Sequence, residues 1–351
     1  MSKDKKTRFP ALIQHGWSVL PHVIVDAYNE ELKDEDGFLG DRASKGAFRD
    51  TLDKWRKQVA AKGDDPFGDT PTYSLTKSQL DKYLKGDDPT AIGLIHTAVE
   101  EFAGELATVT ARFLKVDEWK DTEHIVVGGG LSGSHIGKLA IGRALILLQE
   151  KGFDIGMSPI SNHPDEAGLL GGLELAPSWI LDGHDAIVAA DIGGTNLRVG
   201  VVELKMKKGD IAKAGVWRSS LWRHKDDDPS RDEAVARMAK MIEKLVAQAE
   251  AEKLRIAPFI AVGCPGLITR DGTIEKGAQN LPGDWEETDF SLSHELVQTL
   301  PLIRGNEPLF VIHNDAVIQG LSEAANMQDV EHWGVFTIGT GLGNARFTNR
   351  R

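Results

Sequence analysis

The stretch AIVAADIGGTNLRVGVVEL, residues 186–204, places two apolar runs on either side of a glycine turn. This pattern predicts two strands joined by a hairpin. The bend contains Asp191, Gly193, Gly194, Thr195 and Asn196. Backbone N–H groups and a short hydroxyl in such a bend point toward one place, and they can hold a phosphate without a basic side chain. An ordinary hairpin with Asp191 as a solvated turn residue is the alternative interpretation.

A second hairpin of the same design is predicted near the end of the sequence. Residues 333–347 read WGVFTIGTGLGNARF, a strand that breaks into a glycine-rich turn. The candidate phosphate contacts in this turn are Thr340, Gly341 and Gly343. Two such turns together indicate that the phosphate tail of a nucleotide is held from both sides.

Length, charge and cysteine content narrow the class of protein. The 351 residues favour about two domains, and the net charge of −12 provides no basic surface for nucleic acid or anionic lipid. The single cysteine, Cys264, excludes an intramolecular disulfide and a cysteine-only zinc site. The beginning of the sequence makes a poor signal peptide because Gln14, His15 and Pro21 interrupt its apolar stretch, and no uncharged run is long enough for a membrane span. We therefore expect a cytoplasmic protein with neither a nucleic-acid nor a membrane partner.

Alternating strands and helices predict an α/β protein. Helical spacing occurs at residues 44–62, 89–115, 133–152 and 231–253. The apolar run HIVVGGG at 124–130 predicts a buried strand that breaks into glycines. Ser230 and Glu233 have the spacing of a capping box, which would begin the last of the helices. A boundary between two halves of the chain is predicted at 175–185.

Several motifs resemble those of the ROK family of sugar kinases and related repressors. DIGGTNLRVG (191–200) is similar to the family's first phosphate motif, and TIGTGLG (337–343) is similar to its second. VGCPGLI (262–268) and GAQNLPGDW (277–285) resemble its sugar-site loops, and HNDAVIQGLSE (313–323) resembles its catalytic segment. The resemblance implies the two-lobed α/β fold of actin-like and hexokinase-like ATPases, which is built from duplicated ribonuclease-H-like units.

The order of the remaining segments indicates a circular permutation. HIVVGGGLS (124–132) and HPDEAGLLGG (163–172) resemble the family's adenosine region, which ordinarily closes the chain. GFLGDRASKGAF (37–48) is similar to the segment just after the family's zinc site. We predict that the family's usual ends are joined through residues 175–185. The predicted domains are an adenosine-side lobe at 1–180, a phosphate and sugar lobe at 185–320, and the second phosphate hairpin at 321–351, which completes the first lobe.

The resemblance implies an ATP- and Mg²⁺-dependent transfer of phosphate to a sugar, either a hexose or an amino or N-acyl hexose. Asp315 is the implied general base and Asn314 would orient the attacking hydroxyl, although both residue types are also good helix caps. The other implied sugar contacts are Asn280, Gly266 and His22. ATP would contact the two hairpins and the adenosine-side glycines Gly129, Gly130, Gly168 and Gly171. Asp191 would hold Mg²⁺ mainly through water, because Mg²⁺ keeps most of its hydration.

Departures from the family pattern keep other functions open. Val19 and Gly40 stand where sugar-binding glutamates are expected, and Phe38 stands at a zinc-cysteine position, so no zinc site is predicted. A non-catalytic sugar or nucleotide sensor is the main alternative. The glycines of HIVVGGGLSGSHIG also fit the dinucleotide-binding turn of a flavin or nicotinamide oxidoreductase, but Ser161 stands where that fold needs an acid. The family resemblance also suggests a homodimer.

Overall fold

A computed structural model describes residues 14–205, 214–300 and 302–350, and it confirms the predicted α/β class. Residues 1–13, where the stretch considered as a signal peptide begins, lie outside these ranges. The strands are β1 (Val23–Tyr28), β2 (Lys33–Asp34), β3 (Gly37–Phe38), β4 (His124–Gly128), β5 (Gly156–Pro159), β6 (Ala186–Ile192), β7 (Leu197–Glu203), β8 (Gly215–Trp222), β9 (Ile256–Cys264), β10 (Leu309–Asn314), β11 (His332–Ile338) and β12 (Leu342–Asn349). The α-helices are α1 (Lys45–Ala60), α2 (Lys77–Leu84), α3 (Pro89–Phe113), α4 (His135–Glu150), α5 (Pro164–Leu170), α6 (Ser178–Leu181), α7 (Arg231–Ala251), α8 (Leu292–Thr299) and α9 (Asp315–Leu321).

Two five-stranded sheets repeat one design. The first sheet has the order β1-β12-β11-β4-β5, and the second has the order β8-β7-β6-β9-β10. In each sheet the first three strands are antiparallel neighbours and the last three are parallel neighbours. The duplicated unit expected of actin-like and hexokinase-like ATPases is therefore present twice.

The chain passes through the two sheets differently. The second sheet is built from β6 to β10, which follow one another in the chain. The first sheet combines β11 and β12 with β1, β4 and β5 from the other end of the chain. The end of β12 lies beside the start of β1, because Asn349 pairs with Val23 and the Arg350 N–H donates to the His22 carbonyl at 2.9 Å. The first sheet is thus assembled from segments more than 300 positions apart, which is the arrangement that a circular permutation would produce.

The segment 164–181 contacts the second sheet, although the predicted domains place it in the first lobe. Helix α5 packs against β6, β7 and α9. Leu169 and Leu173 are buried in the same core as Ala189 and Ala261 of the second sheet. The physical reason is close packing: a Cβ on Gly172 would lie 2.8 Å from the Cβ of Ala261, so only glycine lets the two segments meet at this distance.

Helices cover both sheets and also fill the space between them. Helix α3 begins at the Asp88 cap with Pro89 in its first turn and packs its apolar face between α1 and α4. The predicted capping box of α7 is confirmed, because the Ser230 and Glu233 side chains each accept from the other's backbone N–H. Helix α9 lies between the sheets, where Ile318 shares a core with residues of both. It therefore links the two lobes at the base of the cleft between them.

The helices within the described ranges are all too short or too polar to span a bilayer.

Candidate active site

A cleft of about 440 Å³ lies between the two lobes and contains both glycine hairpins. The turn between β6 and β7 faces the turn between β11 and β12. The hydroxyls of Thr195 and Thr340 lie 3.3 Å apart across the opening. The two predicted phosphate turns are therefore next to each other and can contact one ligand together.

The first hairpin is held in shape by a hydrogen bond within its turn and by contacts from residues outside it. The Gly193 N–H donates to the Asn196 carbonyl at 2.8 Å, which closes the turn. His224, which is buried, places its Nε2 2.7 Å from the Gly193 carbonyl, and the Lys225 N–H donates to Thr195 O. A Cβ on Gly194 would lie 2.8 Å from the Cβ of Asn280, so this glycine lets the turn approach the predicted sugar loop.

The second hairpin packs against the glycine turn that follows β4. Gly129 has φ +84°, and a Cβ there would lie 2.3 Å from the Ile338 carbonyl oxygen. A left-handed backbone at this distance from another main chain suits glycine alone. Gly129 and Gly130 both line the cleft beside Thr340 and Gly341. This arrangement does not fit the dinucleotide-binding alternative, because β4 pairs with β11 and its glycines face a phosphate hairpin.

Asp315 begins α9 and lines the cleft. Burial, and after it the negative charge of Asp191, raise the pKa of its carboxyl to about 7. A carboxylate with a pKa near neutrality is a competent general base at physiological pH. The geometry and the electrostatics of Asp315 both suit proton removal from a substrate hydroxyl.

Asp191 stands at the end of β6 on the same side of the cleft. Burial raises the pKa of its carboxyl, and the Arg198 guanidinium at 3.8 Å opposes this shift. A Cβ on Gly263 would lie 3.6 Å from Asp191 Oδ1 and 3.6 Å from the Asp315 Cα, so the two acids flank that glycine. Two carboxylates with room for water suit Mg²⁺, which takes few protein ligands. The described ranges hold no group of three or more acidic, histidine or cysteine side chains around one metal position.

The structure brings most of the predicted site residues into this cleft. The residues that line it are Gly129, Gly130, Asp191, Gly193, Gly194, Thr195, Asn196, Gly266, Asn280, Asp315, Thr340, Gly341 and Gly343. Asn280 and Gly266 lie beside the first hairpin, on the side of the predicted sugar loops. Their roles in binding stay predictions.

Two predicted contacts are corrected by the way small residues pack. A Cβ on Gly168 would lie 2.6 Å from the Asp191 Cγ, and one on Gly171 would lie 1.7 Å from the Ile318 carbonyl oxygen. Gly168 therefore makes room for the Asp191 carboxylate, and Gly171 lets its segment pack on α9. Neither glycine lines the cleft in this structure, although both were expected to contact adenosine.

His22 and Asn314 are also corrected as direct sugar contacts. His22 Nδ1 lies 2.7 Å from Glu174 Oε2 in a separate cavity of about 680 Å³. Asn314 is buried: its Oδ1 accepts from the N–H groups of residues 316 and 317, and its Nδ2 donates to Gly266 O at 3.0 Å. The capping role considered for Asn314 is the one that its side chain performs.

The structure adds cleft residues that the sequence reasoning missed. Asn29, Glu30 and Glu31 line the sugar side, where the expected glutamates are absent. Asn29 has φ +54°, which is uncommon outside glycine, and its buried Nδ2 has no hydrogen-bond partner. Lys45 and Arg223 line the phosphate side. The basic triplet 223–225 could have been noticed in the sequence, but no local pattern places Lys45 or Asn29 in a site.

The two repeated sheets, with facing glycine hairpins and an acid at the head of the linking helix, define a two-lobed protein of the actin-like and hexokinase-like ATPase class. The model of the ROK family matches residues 187–351, a little under half of the chain.

Individual relatives match about half of the chain. A glucokinase from Thermotoga maritima is 28% identical over 165 residues, which cover 46% of this chain and 44% of that protein. The crystal structure of a ROK hexokinase from Thermus thermophilus is 23% identical, with 47% of this chain and 48% of that chain covered and a TM-score of 0.34. The chain thus spans less than half the length of the curated relative that it matches.

Proposed function

We propose that this protein is a sugar kinase that transfers the γ-phosphoryl group of ATP to a hydroxyl of a hexose or of an amino or N-acyl hexose. The observation that carries the proposal is the placement of Asp315 in the same cleft as the two phosphate turns. The ROK-family match to residues 187–351 includes both turns and this acid.

The phosphate turns would hold the nucleotide tail from two sides. The backbone N–H of Gly194, with the hydroxyls of Thr195 and Thr340, can donate to phosphate oxygens. Phosphoryl transfer needs such positioning more than covalent help, because its transition state is loose and carries charge on outer oxygens. Bound Mg²⁺ would neutralise part of this charge, and Asp191 would hold its water shell.

Asp315 would accept the proton of the attacking hydroxyl. The sugar oxygen forms a bond to the γ-phosphorus, the bond to the β,γ-bridging oxygen breaks, and the products are a sugar phosphate and ADP. Asn314 caps α9 next to Asp315, and Asn280, which lines the same cleft, would bind a second hydroxyl. The acid contributes through geometry and through proton removal late in the reaction.

We also propose that the chain is a circular permutant of its family. The shared strand order of the two sheets supports this proposal, because the second sheet is continuous in sequence and the first is divided between both parts of the chain. Permutation of this kind is tolerated where the native ends lie close together at the surface.

A coupled assay for ADP release with a panel of hexoses, hexosamines and N-acyl hexosamines tests the kinase. We expect turnover with at least one sugar and a loss of about 100-fold or more in Asp315→Asn. Nucleotide binding of the variant, measured by calorimetry, should stay near that of the wild type. Equal turnover in the two proteins would remove Asp315 from the mechanism.

A non-catalytic sensor is the second candidate. It is favoured by the absence of the expected glutamates at Val19 and Gly40 and by the position of His22 outside the cleft. A sensor would bind ATP or a sugar in the same assays without releasing ADP in the presence of any sugar. The sugar panel therefore separates the two candidates directly.

A further inference from the structure

Basic side chains from both lobes converge at the phosphate end of the cleft. Lys45 is the first residue of α1 in the first lobe, and Arg223 follows β8 in the second lobe. Both line the cleft that holds the two phosphate turns. The chain is acidic overall, yet the charges that act on Lys45 are all basic.

Backbone contacts fix the position of each cation relative to a phosphate turn. The Lys45 N–H donates to the Gly339 carbonyl at 3.0 Å, which anchors Lys45 on the second turn. The two residues after Arg223 contact the first turn, through the His224 ring and the Lys225 N–H. The two cations are therefore attached to opposite sides of the predicted phosphate path.

The charge around Lys45 is not balanced by a bonded partner. Among the residues that the structure describes, its ammonium group has no ion pair. Burial lowers the pKa of Lys45, and the neighbouring charges that lower it further are Arg49, Arg223, Lys77 and Lys225. Arg223 pairs with Asp226 at 2.9 Å, but both side chains are more than half exposed, and such pairs contribute little. Asp41 lines the same cleft, without a contact to Lys45.

We infer that Lys45 and Arg223 form a clamp that closes from both lobes on the phosphate tail of the nucleotide, an inference that rests on the proposed function. The ligand class is a polyphosphate monoester such as ATP, whose oxygens can accept from an ammonium and a guanidinium together. Without an anion between them, the two cations repel each other across the opening. Closure of the lobes therefore depends on the number of phosphates bound.

Binding of a phosphate series to the intact protein tests the clamp. Dissociation constants for ATP, ADP, AMP and adenosine would be measured by calorimetry for the wild type, Lys45→Met, Lys45→Arg and Arg223→Met. We expect each methionine variant to bind ATP about 10-fold or more weakly, since a hydrogen bond between charged groups is lost. Adenosine affinity should not change, and Lys45→Arg should keep most of the ATP affinity.

Matched control variants lie outside the cleft. Lys54 is on the same helix as Lys45 and pairs with Glu101, and Arg218 is on β8 and pairs with Glu252. Lys54→Met and Arg218→Met should bind all four ligands as the wild type does. Circular dichroism of every variant checks that the fold is kept, and Lys45→Arg and Arg223→Met each test the clamp if Lys45→Met does not fold.

Two results would overturn the clamp while leaving the kinase intact. One is an ATP affinity of both methionine variants equal to that of the controls, in a wild type that phosphorylates a sugar. The other is an equal loss of affinity for ATP and adenosine, which would indicate a general change of the cleft. A wild type that binds no ATP would overturn the proposed function and the clamp with it.

Discussion

Asn314 and Asp315 show how one dipeptide divides two roles. An asparagine amide can donate and accept at once, so Asn314 can be buried with its amide bonded to Gly266 O and to the start of α9. A carboxylate can only accept, and Asp315 keeps a face toward the cleft. The sequence allowed a site role or a capping role for both residues, and the structure shows the cap for Asn314 and a position in the cleft lining for Asp315.

The raised pKa of Asp315 predicts a pH dependence of catalysis. Because a base must be deprotonated to act, kcat/KM for the sugar should rise with pH and level off above an inflection near 7. Rates at saturating ATP over pH 5.5–8.5 would show this inflection. A flat profile would contradict the assignment of Asp315 as the base.

The same shift makes stability depend on pH in the opposite direction. The folded state binds the Asp315 proton more tightly than the unfolded chain does, so its stability falls as pH rises from about 4 to about 7. Asp315→Asn removes this loss. The unfolding temperature of this variant, relative to that of the wild type, should therefore increase as the pH rises from 5 to 8, as measured by calorimetry.

Asn29 is the residue whose backbone strain points most directly to a ligand. Its positive φ costs about 1 kcal/mol or more, and its Nδ2 is buried at the cleft wall without a partner, so a sugar hydroxyl that reached it would satisfy this donor. Asn29→Gly should relieve the strain but lose the donor. We expect a higher sugar KM with unchanged or higher thermal stability. Asn29→Ala should raise the sugar KM and also lower the thermal stability. An unchanged sugar KM in Asn29→Gly would exclude Asn29 as a sugar contact.

At the scale of elements, the two hairpins were predicted from local patterns and are present. Glycine turns between apolar runs are local signals, because turn geometry depends on neighbouring residues. What a hairpin meets across the cleft is not local. The first turn depends on His224 at its Gly193 carbonyl and on Asn280 beside Gly194, neither of which its own sequence indicates.

Gly194→Ala tests this contact between elements. The added Cβ would lie 2.8 Å from the Cβ of Asn280, so the phosphate turn and the sugar loop must move apart. We expect weaker ATP binding together with a higher sugar KM, measured by calorimetry and initial rates. Gly142→Ala on the exposed face of α4 is the matched control, since its Cβ meets nothing within 4 Å and both constants should stay unchanged. A loss confined to ATP would mean that Asn280 does not depend on the turn.

At the scale of the whole molecule, the proposed permutation predicts that the chain can be cut and rejoined in the family's order without loss of the fold. A flexible linker of about 15 residues from Arg350 to Gln14, with the chain opened at the exposed Gly183, would restore the proposed family order. We expect the same circular dichroism spectrum and an unfolding temperature within a few degrees of the wild type. The same linker with the chain opened inside β9 should not fold. Failure of the Gly183 protein to fold would count against the permutation.

Local and long-range features of the lobes differ in how well the sequence predicted them. Strand and helix patterns marked α3 and α7 nearly to the residue, because their caps and apolar spacing are local. The sequence did not indicate that the segment 164–181 contacts the second sheet, because nothing in the local pattern of its glycines and leucines shows which elements they pack against. The homodimer and the cytoplasmic location stay predictions.

The sequence by itself determined the α/β class, both glycine hairpins and the acid at the head of α9, because these features depend on residues close together in the chain. The tertiary structure alone decided that Lys45, Arg223 and Asn29 line the cleft and that His22 does not. The positions of His22 and Asn29, at the two ends of β1, depend on the pairing of β1 with β12, across more than 300 residues, and on its register. A shift of one residue in that pairing would turn every side chain of β1 to the other face, and no local pattern specifies it.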